Sequence, residues 1–163
     1  MSQDAQNPYP AGRDADPDQR RQEDRFALLA ENLPESFWLI DVAERRIVYA
    51  NKAYETLWGA SREELFQDRF SWQKYIHPDD MERIKAAVKR HRYGGVDERV
   101  RILRPDNSLR WIHLKSFAVG DGAVPHSVGG MAFDVTAQVQ QQAVLEQERN
   151  AQRLAAGLKK SVL

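Results

Sequence analysis

The chain contains no cysteine, which excludes disulfides, thiolate metal sites and any chromophore or adduct that needs a cysteinyl sulfur. It has only four histidines, no two of them arranged with aspartate as an adjacent His-Asp metal pair, and none after His126. A histidine-kinase phosphoacceptor helix and a metal-dependent cyclic-dinucleotide hydrolase are therefore absent from these residues. No apolar run approaches the ~20 residues that span a bilayer, and the start lacks the basic and apolar regions of a signal peptide, so a cytoplasmic location is expected. Charge of one sign is missing as well: Lys plus Arg equal Asp plus Glu at 24 each, leaving no global field for nucleic acid or for an anionic membrane.

Within these limits, 163 residues suit one domain with tails. Residues 1 to 19 are proline-rich and polar, and read as a disordered leader. From 20 to 34, Phe26, Leu29, Ala30 and Leu33 fall on one helical stripe that ends at Pro34, giving an N-terminal amphipathic helix. That helix needs a surface: the outer face of a sheet or a second subunit.

Phe37–Asp41 and Arg46–Ala50 form a predicted hairpin. Asn51 caps a short helix that carries Tyr54 and Trp58 and stops at Gly59, and Ser61 with Glu64 reads as a capping box for the next. Pro78, Asp79 and Asp80 open a third helix with Ile84, Val88 and His91 on its buried face. Val100 and Ile102 alternate with charges. The turn Pro105-Asp106-Asn107-Ser108 leads into Leu109–Val119, and Val128–Val135 completes the sheet. A helix of about 25 residues then follows without a loop.

This order resembles the PAS family of sensory and interaction domains. The resemblance rests on Phe37-Trp38-Leu39-Ile40-Asp41, Ile47-Val48-Tyr49-Ala50-Asn51, Trp72 with Ile76-His77-Pro78-Asp79-Asp80, and Arg101 to Asn107 with Arg110-Trp111. The exit triplet Asp134-Val135-Thr136 matches the family's Asp-Ile-Thr motif. It implies an α+β fold over residues 35–136, with a five-stranded antiparallel sheet, short helices on one face, and usually a dimer. Residues 137–163 form a C-terminal helical linker. Family members bind haem, flavins, carboxylic acids or nothing, so the ligand must be argued from the residues.

His77, Asp79 and Asp80 could ligate a metal, but a helix start accounts for all three, and no metal site is assigned. His91 lies about two turns later than a haem ligand of this family would, so haem is not expected. Four tryptophans could stack on an aromatic ligand, or simply fill a core. The reading is thus no resident cofactor, with a non-covalent small molecule or flavin as the alternative. Lys89-Arg90-His91-Arg92 reads as a solvated helix end, not a nucleic-acid patch.

Strand parity places Ile112, Leu114 and Ser116 inward, and Val128, Gly130 and Ala132 inward on the last strand, where small residues leave room for a ligand or a close helix. With Leu39, Tyr54, Trp58, Trp72, Ile84, Val88, Val100 and Ile102 these are the cavity candidates. Phe26, Leu29, Leu33, Trp111 and Phe117 are the candidate dimer surface. Asp134, Val135 and Thr136, with Arg110 as ion-pair partner, are the candidate signal relay.

Ala137, Val144, Ala151 and Leu158, with Ala155 and Val162, form a broken heptad seam interrupted near Gln141 and Glu148, a marginal coiled coil. The closing Ala155 to Leu163 is similar to linkers entering cyclic di-GMP phosphodiesterases of the HD-GYP type. The function expected is therefore a non-enzymatic sensor. It would form a homodimer and relay ligand or partner state through its last helix to an output domain such as a phosphodiesterase, kinase or cyclase. The alternative is a ligand-free dimerisation or docking module. No nucleophile-base pair or phosphate-cradling glycine loop supports an enzyme.

Overall fold

The computed structural model describes residues 16–161, so the leader up to position 15, Val162 and Leu163 lie outside the described residues. The leader reading stops short of position 19, because helix α1 (Pro17–Glu31) already begins at Pro17. Proline suits a first helical turn, and Asp16 supplies the cap by accepting the Asp18 N–H.

Five antiparallel strands follow in the spatial order β2-β1-β5-β4-β3. They are β1 (Ser36–Asp41), β2 (Arg46–Ala50), β3 (Asp97–Leu103), β4 (Leu109–Val119) and β5 (Ser127–Asp134). Between β2 and β3 the chain forms α2 (Lys52–Trp58), α3 (Arg62–Gln67), a 3-10 turn over Ser71–Tyr75 and α4 (Pro78–Arg90). Helix α5 (Thr136–Ser161) leaves β5 with only Val135 between them.

The main core lies between the inner face of the sheet and α2 to α4. It contains Ile47, Tyr54, Trp58, Leu65, Ile84, Val100, Ile102, Ile112, Leu114 and Ala132. A smaller cluster, Ala30, Phe37 and Tyr49 with Leu39 and Met131, lies on the outer face under α1. The two faces exchange within β2. Tyr49 pairs with Leu39 and Ile47 with Ile40, so the register slips by one residue at a bulge. Strict alternation would have put Ile47 and Tyr49 on the same side.

Asn51 joins three elements at one fully buried point. Its Oδ1 accepts the N–H groups of Phe37 at 2.9 Å and Tyr54 at 3.2 Å. Its Nδ2 donates to the carbonyls of Ala30 and Glu35, each at 2.9 Å. One side chain thereby caps α2, holds the start of β1 and fixes the end of α1, with its amide capacity filled. Arg62 reinforces the junction by donating to Glu31 at 2.7 Å and to the Ala50 carbonyl at 3.1 Å.

The expected capping box of α3 does not form. Ser61 Oγ accepts the Glu63 N–H, while the Glu64 carboxylate accepts from the Tyr75 hydroxyl at 2.7 Å and pairs with Lys74 at 3.0 Å. Tertiary partners on the 3-10 turn outcompete the local backbone.

At the start of α4, His77 Nδ1 accepts the Asp79 N–H as the cap. Asp80 does more than complement a helix dipole. It is 5% exposed, and its carboxylate accepts from Arg101 Nη2 at 2.8 Å, Arg101 Nε at 3.0 Å and the Arg101 backbone N–H at 2.8 Å. This fork ties α4 to β3 beside the His77 N–H bond to the Arg101 carbonyl. Hydrogen bonding to the Arg101 guanidinium holds the Asp80 carboxyl down at about 2.

Two stability measurements test these joints. Asn51→Ala takes the partner from the Phe37 N–H and the Glu35 carbonyl, while the Tyr54 N–H keeps the residue-51 carbonyl and the Ala30 carbonyl keeps the Leu33 N–H, and it should cost about 2 kcal/mol or more in urea unfolding. A loss below about 1 kcal/mol would show that the junction does not depend on this side chain. Asp80→Asn should cost on the order of 2 kcal/mol at neutral pH. The folded carboxyl is depressed below its ordinary 3.8, so its contribution is present above that value and is lost as pH falls toward about 2. The difference between wild type and variant should therefore close between about pH 4 and pH 2.

Candidate functional site

A cavity of about 670 Å³ opens between the inner sheet face and the helices α2 to α4. That is the size of a small-molecule site. Of the candidates, Tyr54, Trp58, Trp72, Ile84, Val88, Leu114, Ser116 and Val128 line it together. Val100, Ile102, Ile112 and Ala132 are fully buried in the core behind it and do not border the space.

Leu39 is on the wrong face. It belongs to the outer cluster beneath α1, because β1 directs Trp38 and Ile40 inward, and those two line the cavity instead. The apolar run of β1 conceals its parity, since every residue from Phe37 to Ile40 is apolar.

Gly130 leaves no room for a ligand. A Cβ built there would lie 2.2 Å from the Trp38 indole, its cross-strand neighbour. Neighbouring Gly129 accepts the Phe117 ring on the opposite face, with a built Cβ 2.5 Å from that ring. Both glycines make space for an aromatic residue of the same chain.

The buried wall carries polar groups suited to holding a ligand. Tyr54 stacks on Trp58 with ring centroids 5.5 Å apart. Burial pushes the Tyr54 phenol well above its ordinary range, so it remains a protonated donor at neutral pH. The Trp58 Nε1–H is buried without an acceptor among the described residues. Ser116 Oγ accepts the Val96 N–H at 3.0 Å and keeps its own proton to donate. His91, singled out as a possible haem ligand, borders the cavity as the C-cap residue of α4. No cysteine exists to act as nucleophile toward a bound flavin. No group of three or more His, Asp or Glu side chains able to hold a metal occurs among the described residues.

At the mouth, sequence reasoning missed Arg45, Arg69, Phe70 and Lys85. They come from a hairpin turn, a loop and a helix that only the fold brings together.

The relay candidates meet at the exit of the sheet. Asp134 Oδ1 accepts the Thr136 N–H at 3.0 Å, and Asp134 lies 3.7 Å from Arg110. Thr136 turns its hydroxyl to the neighbouring strand and not to the first turn of its own helix. Its Oγ1 accepts the Trp111 N–H at 2.9 Å, and the Val135 N–H donates to the Trp111 carbonyl at 2.9 Å. The first turn of α5 is thus bonded to β4, the neighbouring strand, through backbone atoms of Trp111.

On the outer face, Phe26 meets Phe37 and Tyr49 edge to face at 5.9 and 5.6 Å, and Phe117 stacks on Phe37 at 6.5 Å. Trp111 lies beneath the Arg101 guanidinium at 5.3 Å. Trp111 is half-buried within the chain, whereas Phe26, Leu33 and Phe117 remain 38%, 38% and 41% exposed and Leu29 71%.

A comparison with curated proteins gives no match. Among solved structures, an RNA-binding Light-Oxygen-Voltage receptor superposes with a TM-score of 0.62 at 23% identity, covering 88% of this chain. This chain spans 41% of that receptor's length. A sensory box histidine kinase/response regulator structure from Burkholderia thailandensis E264 gives 0.57 at 25% identity, covering 79% of this chain and 98% of the other. The N-terminal domain of a diguanylate cyclase with PAS/PAC sensor from Marinobacter aquaeolei gives 0.53 at 24%, covering 64% and 97%. The family model described as the PAS fold matches residues 47–131. That match runs from the inner residue of β2 to the middle of β5 and takes in the whole cavity-forming helical segment, and the chain belongs to the PAS fold family.

Proposed function

We propose that this chain is a sensory module in which occupancy of the cavity, or of a partner surface, is relayed through Asp134-Val135-Thr136 to α5 and on to an output domain. The observation that carries this reading is the attachment of α5. The cavity and the helix use the same strands: Leu114 and Ser116 of β4 line the space, while Trp111 of β4 holds Val135 and Thr136. A displacement of β4 by a ligand therefore acts on the base of a helix about 39 Å long. Beyond Val139 every described residue of α5 is exposed, so the fold offers that helix no other attachment among the described residues.

The named relatives belong to a histidine kinase and a diguanylate cyclase, which supports a cyclase or kinase as output beside the phosphodiesterase suggested by the linker. No described helix is long and apolar enough to cross a membrane, consistent with action in the cytoplasm.

A second subunit is part of this reading. Leu28 and Leu29 on α1 are 66% and 71% exposed, and Val144, Leu145, Leu154 and Leu158 are exposed along α5. Helices with such surfaces are suited to pairing in a homodimer. The same exposed helices favour the second reading, a docking module that needs no ligand.

Native mass spectrometry after gentle purification separates the two. A stoichiometric added mass supports sensing by the cavity, and a clean dimer mass supports the docking module. The joint has its own test in Thr136→Val, which removes the acceptor for the Trp111 N–H. It should cost about 1 kcal/mol and speed hydrogen exchange at Trp111 and in the first turn of α5, with exchange at Ile102 and Ile112 unchanged. Unaltered exchange at the first turn would remove the joint from the proposal.

A further inference from the structure

The mouth of the cavity is lined by cations and by no acid. Arg45, Arg69, Lys85, Lys89 and Arg92 all border it, and no aspartate or glutamate does. Lys115 also borders the space, but its register with Met131 of the outer cluster directs its side chain to the other face of the sheet. In a chain with 24 basic and 24 acidic residues, this segregation does not follow from composition. None of them is turned away to an acid, and the Arg69 and Arg92 guanidinium groups lie over the Phe70 and Tyr93 rings, which border the same cavity, at 4.4 and 4.7 Å. Among the described residues none of the five forms an ion pair with a carboxylate, and all eleven ion pairs present are made by other cations or by histidines.

Helix termini do not account for the arrangement. Lys89 complements the C-terminal end of α4, but Lys85 lies more than a turn earlier and Arg92 lies beyond the helix. Lys85 and Lys89 stand four apart on one helical face, a spacing at which like charges repel. Their stripe continues the one that turns Ile84 and Val88 toward the cavity. The wall behind them is aromatic, and it holds the Trp58 indole N–H without an acceptor among the described residues.

Resting on the sensory reading above, we propose that the cavity binds an amphipathic anion. Its aromatic or hydrocarbon body lies between Trp38, Trp58 and Trp72, and its carboxylate or phosphate is held at the mouth by Lys85, Lys89 and Arg92. The charge orients the ligand. An anionic head is drawn to the exposed ammonium and guanidinium groups, and the apolar body displaces water from the wall. Because α4 carries two of the three cations and packs on β3 through Asp80 and Arg101, capture of the head group pulls on the sheet.

The test uses four probes of one shape on the purified chain: naphthalene-2-carboxylate, 2-naphthyl phosphate, neutral 2-naphthalenemethanol and cationic 2-naphthylmethylammonium. Calorimetry gives affinities, and proton–nitrogen spectra of the four tryptophan indoles report entry into the cavity. The anions should bind about tenfold or more tightly than the alcohol at low salt, with the gap narrowing at high salt. The ammonium probe should bind weakest. The tighter of the two anions identifies the head group. The triple variant K85Q/K89Q/R92Q should close the gap while leaving the alcohol's affinity unchanged, which also shows that the variant is folded.

Anions that bind no better than the alcohol would overturn the inference while leaving a ligand-sensing cavity in place. A gap that survives the triple variant would likewise overturn it. If no probe of any charge shifts an indole resonance, the ligand-sensing reading fails as well, and the docking reading stands.

Discussion

The side chain of Asn51 is the constraint on which the rest of the arrangement depends. An asparagine amide has few ways to satisfy two acceptors and two donors in a dry interior, and here it satisfies them with the backbones of α1, β1 and α2. This sets the end of the outer helix, the register of the central hairpin and the first turn of the inner helices from one point. The cavity is a consequence, because α2 must leave the sheet at the angle that brings Tyr54 and Trp58 over the inner face. A hydrophobic residue of the same size would fill the volume but leave the Phe37 N–H and the Glu35 carbonyl unpaired.

Two further polar ties act at a distance from that point. Asp80 with Arg101 fixes the first turn of α4 on β3, and Trp111 with Thr136 fixes α5 on β4. The cavity lies between these ties. Its walls are mostly apolar and interchangeable in kind, while its frame is held by directional bonds at three places. A domain built this way can change the content of its cavity while the orientation of its outgoing helix stays tied to the sheet.

Much of this was legible in the sequence where local chemistry decides. Asn51, Gly59, Pro78 and Asn107 each carry their own conformational reason, and Asn107 indeed takes a left-handed φ of 65°. The alternation in β4 likewise identified its inner and outer faces, with Ile112 and Leu114 in the core. What was hidden depends on partners remote in sequence. Glu64 turned away from its local cap toward Tyr75, and Asp80 served Arg101 as well as a helix start. The bulge in β2 moved Tyr49 to the outer face against plain alternation. Leu39 was misplaced because a continuously apolar strand gives no sign of which side faces inward. The basic mouth was out of reach for the same reason, since Arg45, Arg69 and Lys85 are separated along the chain and converge only in the fold.

The glycine pair in β5 gives the sheet an unusual cross-section. At Gly129 and Gly130 no side chain stands between the two layers, and the rings of Phe117 and Trp38 rest on opposite sides of a bare peptide plane. The partition between interior and exterior is there only one backbone thick. A push on the Trp38 indole from within meets the main chain directly and is felt one residue away by Phe117, which stacks on Phe37 beneath α1. The outer layer thus lies one backbone thickness from the cavity wall, separated from it by a diaphragm.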